Sequence, residues 1–293
     1  MPRTIAMPTT PNFISSEFRL IRSQAVLQSP FSFKYKTQEF DGVYWSADVT
    51  LPVMRRSTAV NWQSFLMQLK GQENYFKFAD PDALANKGTY STTHLIADPR
   101  INNTNVTLSF NATTSVITAG TALTGLAVGD FFHITGAINP ENNGTHKITN
   151  IAGTNTQFTS DKTLVTESST ASCKVRQNIK GAEALSLEAS SNSATGTIKV
   201  GDYLQIQGTS STTTNPVQLV QVVEDATETS QGGSALNHFS VRIEPKLRSD
   251  FADGSFAVFT NPKGLFRLVS PEIGWSADQA SNYGISFSCI EVI

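Results

Sequence analysis

Four histidines, two cysteines and a scatter of carboxylates are the side chains of this chain that could do chemistry. His94, His133, His146 and His238 have no spacing that sets two on one helix face, and none lies near a cysteine in a zinc pattern. His133 and His146 could be adjacent across strands, but two imidazoles without a carboxylate or thiol make no convincing metal site. Alternation in Phe131-Phe132-His133-Ile134 sets His133 opposite its apolar neighbours, at an outward polar position. Asp80-Pro81-Asp82 is the one tight acidic pair. It lacks the further ligands and closing Glu of a calcium loop, and a strand-ending turn explains it. Glu183, Glu188 and Asp202 have nothing that pairs them as a glycosidase couple. No G-x-S-x-G elbow or phosphate-binding glycine loop occurs. The expectation is no catalytic residue, no cofactor site and no metal site, hence not an enzyme.

The elements that would hold such residues are clearest between Tyr44 and Pro81. Trp45, Ala47, Val49 and Leu51 share one face of a strand, with Ser46, Asp48 and Thr50 on the other. Pro52 cannot donate to a ladder and ends it. Ser57 is the expected N-cap of a helix over residues 57–70, whose Trp62, Phe65, Leu66 and Leu69 form one apolar stripe. Gly71 supplies a left-handed stop, and Tyr75, Phe76 and Phe78 resume a strand. A helix this aromatic on one face covers a sheet, so Trp45, Trp62, Phe65 and Leu69 are read as core. The Arg55-Arg56 step opposes the helix dipole, which suggests a contact with a partner or a DNA-filled channel, although solvated arginines are the more common reading.

In order, W-x-A-x-V-x-L-P from Trp45, the arginine step, W-x-x-F-L-x-x-L-x-G-Q from Trp62 and F-x-F-A-D-P from Phe76 resemble the distal tail proteins of long-tailed bacteriophages. Val200–Ile206, residues 219–223 and 241–248, Gly264–Leu268 and the stretch from Gly274-Trp275 to Ser288 continue the resemblance. It covers residues 1–97 and 174–293, and it rests on packing motifs rather than chemical ones. The resemblance implies a β-barrel or split-barrel tail-hub domain with one covering helix. It implies a structural virion protein of a siphovirus-like tail tip or baseplate, in a ring that is usually hexameric. Such a ring joins the tail tube protein to the tail hub protein, and DNA passes through its lumen without specific binding.

Composition agrees with a strand-and-turn protein. Charged residues are 16% and the formal net charge is −2, so nothing points to nucleic acid or an anionic membrane as a partner. Phe, at 18, far exceeds Tyr or Trp. Cys173 and Cys289 are too few for a disulfide framework, and Cys289 reads as a small buried hydrophobe. No signal-peptide core or membrane-length apolar window is evident, so assembly in a bacterial host cytoplasm and carriage on a virion tail are expected.

Three parts are expected along the chain: a core domain over 1–97, an inserted small β domain over 98–173, and the second part of the core over 174–293. The first dozen residues, rich in proline, read as an extended arm. Alternation of Phe31, Phe33 and Tyr35 predicts a strand from Phe31. Within 98–173, V-T-L-S-F, S-V-I-T, F-F-H-I-T, H-K-I-T-N-I, Q-F-T and T-L-V-T predict the short strands of a barrel or sandwich. This part resembles a small β domain of phage tail and neck proteins. One echo occurs: Val128-Gly129-Asp130-Phe131 and Val200-Gly201-Asp202-Tyr203 each introduce a strand that ends at a glycine. Shared turn chemistry accounts for that much, and a duplication would need more than one common turn. Asp225–Asn237 is expected to be an exposed hairpin tip.

Two other functions fit the same text. One is a tail-tube or tube-terminating protein with similar barrel architecture. The other is a carbohydrate-binding module in 98–173, for which Phe110, Phe131, Phe132 and Phe158 are the only candidate platforms.

Overall fold

A computed structural model of the chain describes residues 2–83, 85–90, 94–189, 196–208, 218–229 and 236–293. The protein is mainly β, with one α-helix among the described residues. It divides into two compact units. The first comprises Met1–Leu84, Asn215–Leu219 and Asn261–Ile293, and the second comprises Ala85–Thr214 and Val220–Thr260. Residues 174–214 and 220–260 therefore group with the 98–173 segment, whereas the sequence had placed them with 1–97. The reason is strand pairing: His94–Ala97 forms ladders with Ala184–Ala189 and Phe256–Val258.

The first unit is a six-stranded sheet in the order Thr4–Ile5, Tyr75–Phe78, Gly264–Leu268, Ser286–Glu291, Tyr35–Thr50, Ser15–Gln28. The helix Arg56–Leu69 buries Ala59, Trp62, Phe65, Leu66 and Leu69. Trp62 is fully buried and meets Phe13, Phe65 and Phe287 with ring centroids 5.8, 5.9 and 6.3 Å away. The strand face Trp45, Ala47, Val49 and Leu51 is buried as its alternation requires.

Four local expectations change. The helix starts at Arg56 with Arg55 as a cap that makes no side-chain bond, so Ser57 lies inside the first turn. Lys70 as well as Gly71 is left-handed, at φ 50° and 66°. The proline-rich arm is packed: Thr4–Ile5 pairs in parallel with Tyr75 and Phe76, and the Thr10 carbonyl accepts from Trp62 Nε1 at 3.1 Å. Phe31 and Phe33 belong to a hairpin turn rather than a strand. Phe33 is left-handed at φ 54° and the strand begins at Tyr35.

The second unit holds two closed six-stranded barrels. The nested barrel is built from Asn102–Asn111, Val116–Ala119, Phe131–Thr135, Gly144–Ala152, Gln157–Ser160 and Glu167–Arg176. The host barrel is built from His94–Ala97, Ala184–Ala189, Tyr203–Ile206, Gln218–Val222, His238–Glu244 and Phe256–Val258. Numbered along the chain within each barrel, the strands close in one and the same cyclic order, 2-1-6-3-4-5. The whole nested barrel lies in the connection between the first and second strands of the host.

The shared turn is thus one of many correspondences, and turn chemistry alone does not account for it. Matching pairs follow the register: Phe158 opposes Ile117 in one barrel as Phe239 opposes Leu187 in the other. Each barrel fills its interior with its own apolar cluster, around Leu108, Ile134 and Phe158 or around Leu187, Leu204 and Phe239. Closure leaves no unpaired edge in either ring. The predicted T-L-V-T strand is replaced by Glu167–Arg176, which ladders with Asn102–Asn111 through three irregularities. Leu164 is instead buried in the nested core from a loop. Of the Asp225–Asn237 loop, Thr227–Thr229 is a short strand on His238–Ser240, and residues 230–235 lie outside the described residues.

Candidate functional site

His238, unremarkable in the sequence, is the centre of the most charged buried cluster. It starts the host barrel's fifth strand and is fully buried. Its Nδ1 lies 3.5 Å from Asp98 Oδ2, and its Nε2 lies 3.5 Å from Asp130 Oδ1 and 3.4 Å from Ser186 Oγ. Ser240 Oγ donates to Asp130 Oδ1 at 2.6 Å, and Arg100 Nε donates to Asp98 at 3.1 Å. The His238 bond holds the Asp98 carboxyl below its usual range against the opposing effect of burial, with Arg100 helping. For Asp130 burial pushes upward most strongly, but bonds from His238, Ser240 and the Ala127 amide together bring it below the usual range. Glu188, opposite His238 in the ladder, is pushed up by burial and by the charges of Asp98 and Asp253.

Ser186, His238 and Asp98 stand in the order of a hydrolase triad, yet the arrangement cannot receive a substrate. Ser186 is 2% exposed, and its hydroxyl bonds the Asp98 carbonyl at 2.5 Å. The cavity it lines holds about 10 Å3, room for roughly one water. These residues come from four distant stretches of chain, and only the repeated Val-Gly-Asp hinted at one of them.

The other histidines are separate. His146 is buried in the nested barrel, with Nδ1 2.9 Å from Ser160 Oγ and Nε2 3.0 Å from the Asn142 carbonyl. The Asn142 carbonyl makes Nε2 the donor, and the Ser160 hydroxyl can donate to Nδ1 of the neutral ring. Burial, then the charge of Lys162, pushes its pKa down to about 4. His133 opposes Thr145, one residue off from His146, and its Nδ1 lies 3.0 Å from Thr145 Oγ1. It is half-buried rather than outward, and burial followed by Lys162, Arg176 and Lys246 lowers it to about 4. His94 packs its ring edge-on against Phe256 at 4.8 Å. Asp80-Pro81-Asp82 forms a turn, with the Ala83 amide on the Asp80 carbonyl at 3.1 Å. Asp202 caps a turn, and Glu183 comes within 4.0 Å of Arg242. Among the described residues no group of three or more His, Cys, Asp or Glu is placed to hold a metal ion. No helix among them is long and apolar enough to cross a membrane.

Exposed apolar surface marks a different candidate. Ser15–Gln28 and Tyr35–Thr50 form one long hairpin, and the neighbouring strand Ser286–Glu291 pairs with the hairpin only along Ser46–Thr50. From Gln24 to Glu39 the hairpin is a ribbon paired within itself. Its tip carries Leu27 at 71% exposure, Phe31 at 96%, Phe33 at 71% and Tyr35 at 68%. Large exposed apolar patches on soluble domains mark binding surfaces. By contrast Phe110, Phe131, Phe132 and Phe158 are all buried, so none presents a platform to a sugar.

Comparison with known proteins does not decide between the readings. The chain matches no protein-family model and no curated protein. The geometry offers a candidate docking surface: an open sheet whose outer strand continues into an apolar-tipped ribbon.

Proposed function

We propose that this protein is a structural subunit of a long-tailed phage tail, forming a ring at the distal end of the tail tube and connecting it to the tail-tip hub. The observation that carries the reading is the hairpin ribbon. Its four large apolar side chains are exposed at the tip, and Ser15–Gln28 is an outer strand of the sheet. A second copy is the occupant chosen for both: an unpaired strand edge accepts another strand through main-chain bonds, and ring closure repeats that contact without leaving a free end. The helix-covered sheet agrees with the architecture that the sequence resemblance implies. Low charge also suits the role, because little charge must be desolvated at a subunit interface.

Native mass across a concentration series tests the ring. A discrete hexamer, or a trimer that pairs into one, supports it. A chain that stays monomeric and also fails to cap purified tail tubes overturns it.

A further inference from the structure

We infer that the nested barrel is a hinged body: it can swing away from the host barrel about the two chain crossings at 98–101 and 177–183, and a polar clasp holds it closed. The inference does not depend on the proposed tail function.

Each barrel is complete without the other. Both rings close on themselves, and their apolar clusters have no residue in common. Neither interior's apolar cluster therefore extends into the other barrel.

The two crossings lie side by side, as a pivot requires. The Gln177 amide bonds the Ile101 carbonyl at 3.1 Å, and the Asp98 amide bonds the Ser186 carbonyl at 3.0 Å. Asn178 exchanges two 2.7 Å bonds with the backbone of Ser186, which anchors the return crossing to the host.

Polar contacts dominate between the barrels beyond this pivot. Asp130 reaches Ser240 and His238, Asp161 meets Arg242 at 3.2 Å, and Lys147 pairs with Glu224. At the end of the return crossing, the Glu183 amide donates to Thr145 Oγ1 at 2.9 Å. Phe131, which lines this junction with Ala182 and Ala184, also faces cations, with Arg242 and Lys147 at 5.8 and 5.5 Å from its ring centre. Such groups are rehydrated when they part, so opening forfeits little of what closing gained; polar interfaces within a chain commonly permit movement for this reason. The clasp sets the closed register, because Asp130 has one set of partners that satisfies it.

Amide hydrogen exchange on the unaltered full chain is the first test. The Glu183 amide, bonded across the junction, should exchange at least about tenfold faster than the amides of Ile148 and Val222 inside the rings. Equal protection at all three would overturn the hinge. A second test places spin labels at Ala112→Cys and Ala252→Cys, one exposed site in each barrel. Adding Asp130→Asn with Arg242→Gln should broaden and lengthen the distance distribution while ring amides stay protected. An unchanged distribution, or joint loss of protection in both barrels, would show one rigid cooperative body instead.

Discussion

Asp130 and Asp202 close the same turn in two different barrels. Each carboxylate accepts the amide three residues before it at 2.8 Å, from Ala127 and from Lys199. Each follows a glycine at φ 96° or 90°, whose amide bonds a carbonyl of the fourth strand at 2.8 Å, that of Ile148 or of Val222. With the common strand order, these bonds make the two barrels alike in topology and in this turn. The two aspartates then diverge: Asp130 receives Ser240 and His238, whereas Asp202 receives the amides of Lys87 and Gly88.

Gly201 should not tolerate a side chain. Alanine would have to hold φ near 90°, a conformation that costs L-residues about 1–2 kcal/mol, and its Cβ would meet the Lys87 side chain. Gly201→Ala should lower the unfolding free energy from urea melts by that amount, and an unchanged value would mean that the turn relaxes.

Trp62→Ala should cost about 3–5 kcal/mol, since it empties a fully buried site and orphans the Thr10 carbonyl. Trp62→Phe should cost less, and the comparison in denaturant melts separates packing from the hydrogen bond.

Glu291 is a buried carboxylate that accepts the Leu219 amide at 3.0 Å and the Trp45 amide at 3.3 Å. Glu291→Ala leaves both donors buried, at about 1–3 kcal/mol each. A Glu291→Gln chain keeps acceptor capacity in one oxygen and should fall between wild type and alanine in the same melts.

Acid sensitivity should begin near neutrality. His133 and His146 are lowered from 6.5 to about 4 in the fold, so the unfolded chain binds protons there that the folded chain refuses. Their contribution is complete above 6.5 and is lost as pH falls toward 4. Glu167 acts below that. Burial raises its pKa, but Thr170, the Ile138 and Asn139 amides and Asn142 outweigh burial and bring it from 4.5 to about 2. Its contribution is present above 4.5 and disappears as pH falls through 2. Urea melts across pH should slope upward from 4 to 6.5, and Glu167→Gln should flatten only the lower limb.

Paired serine substitutions at Phe31 and Phe33 should separate folding from assembly. Both side chains are more than two-thirds exposed, so the melting of the monomer should change by less than about 0.5 kcal/mol. Ring formation in native mass spectra should be lost. A ring that forms as before would remove the ribbon from the interface.

Periodicity alone determined the strand face from Trp45 to Leu51 and the helix stripe from Trp62 to Leu69, because burying one face dictates the spacing of apolar residues within an element. The short strands of residues 102–160 were legible for the same reason. Tertiary structure decided everything that depends on which strands meet. Phe31 and Phe33 alternate like a strand but turn, since the backbone reverses there and no sheet face covers them. The common strand order was invisible beyond Val-Gly-Asp, because a closed ring constrains strand order and interior volume while leaving residue identities free. The His238 cluster joins residues as far apart as 98 and 238, and charges become partners only after folding excludes water between them.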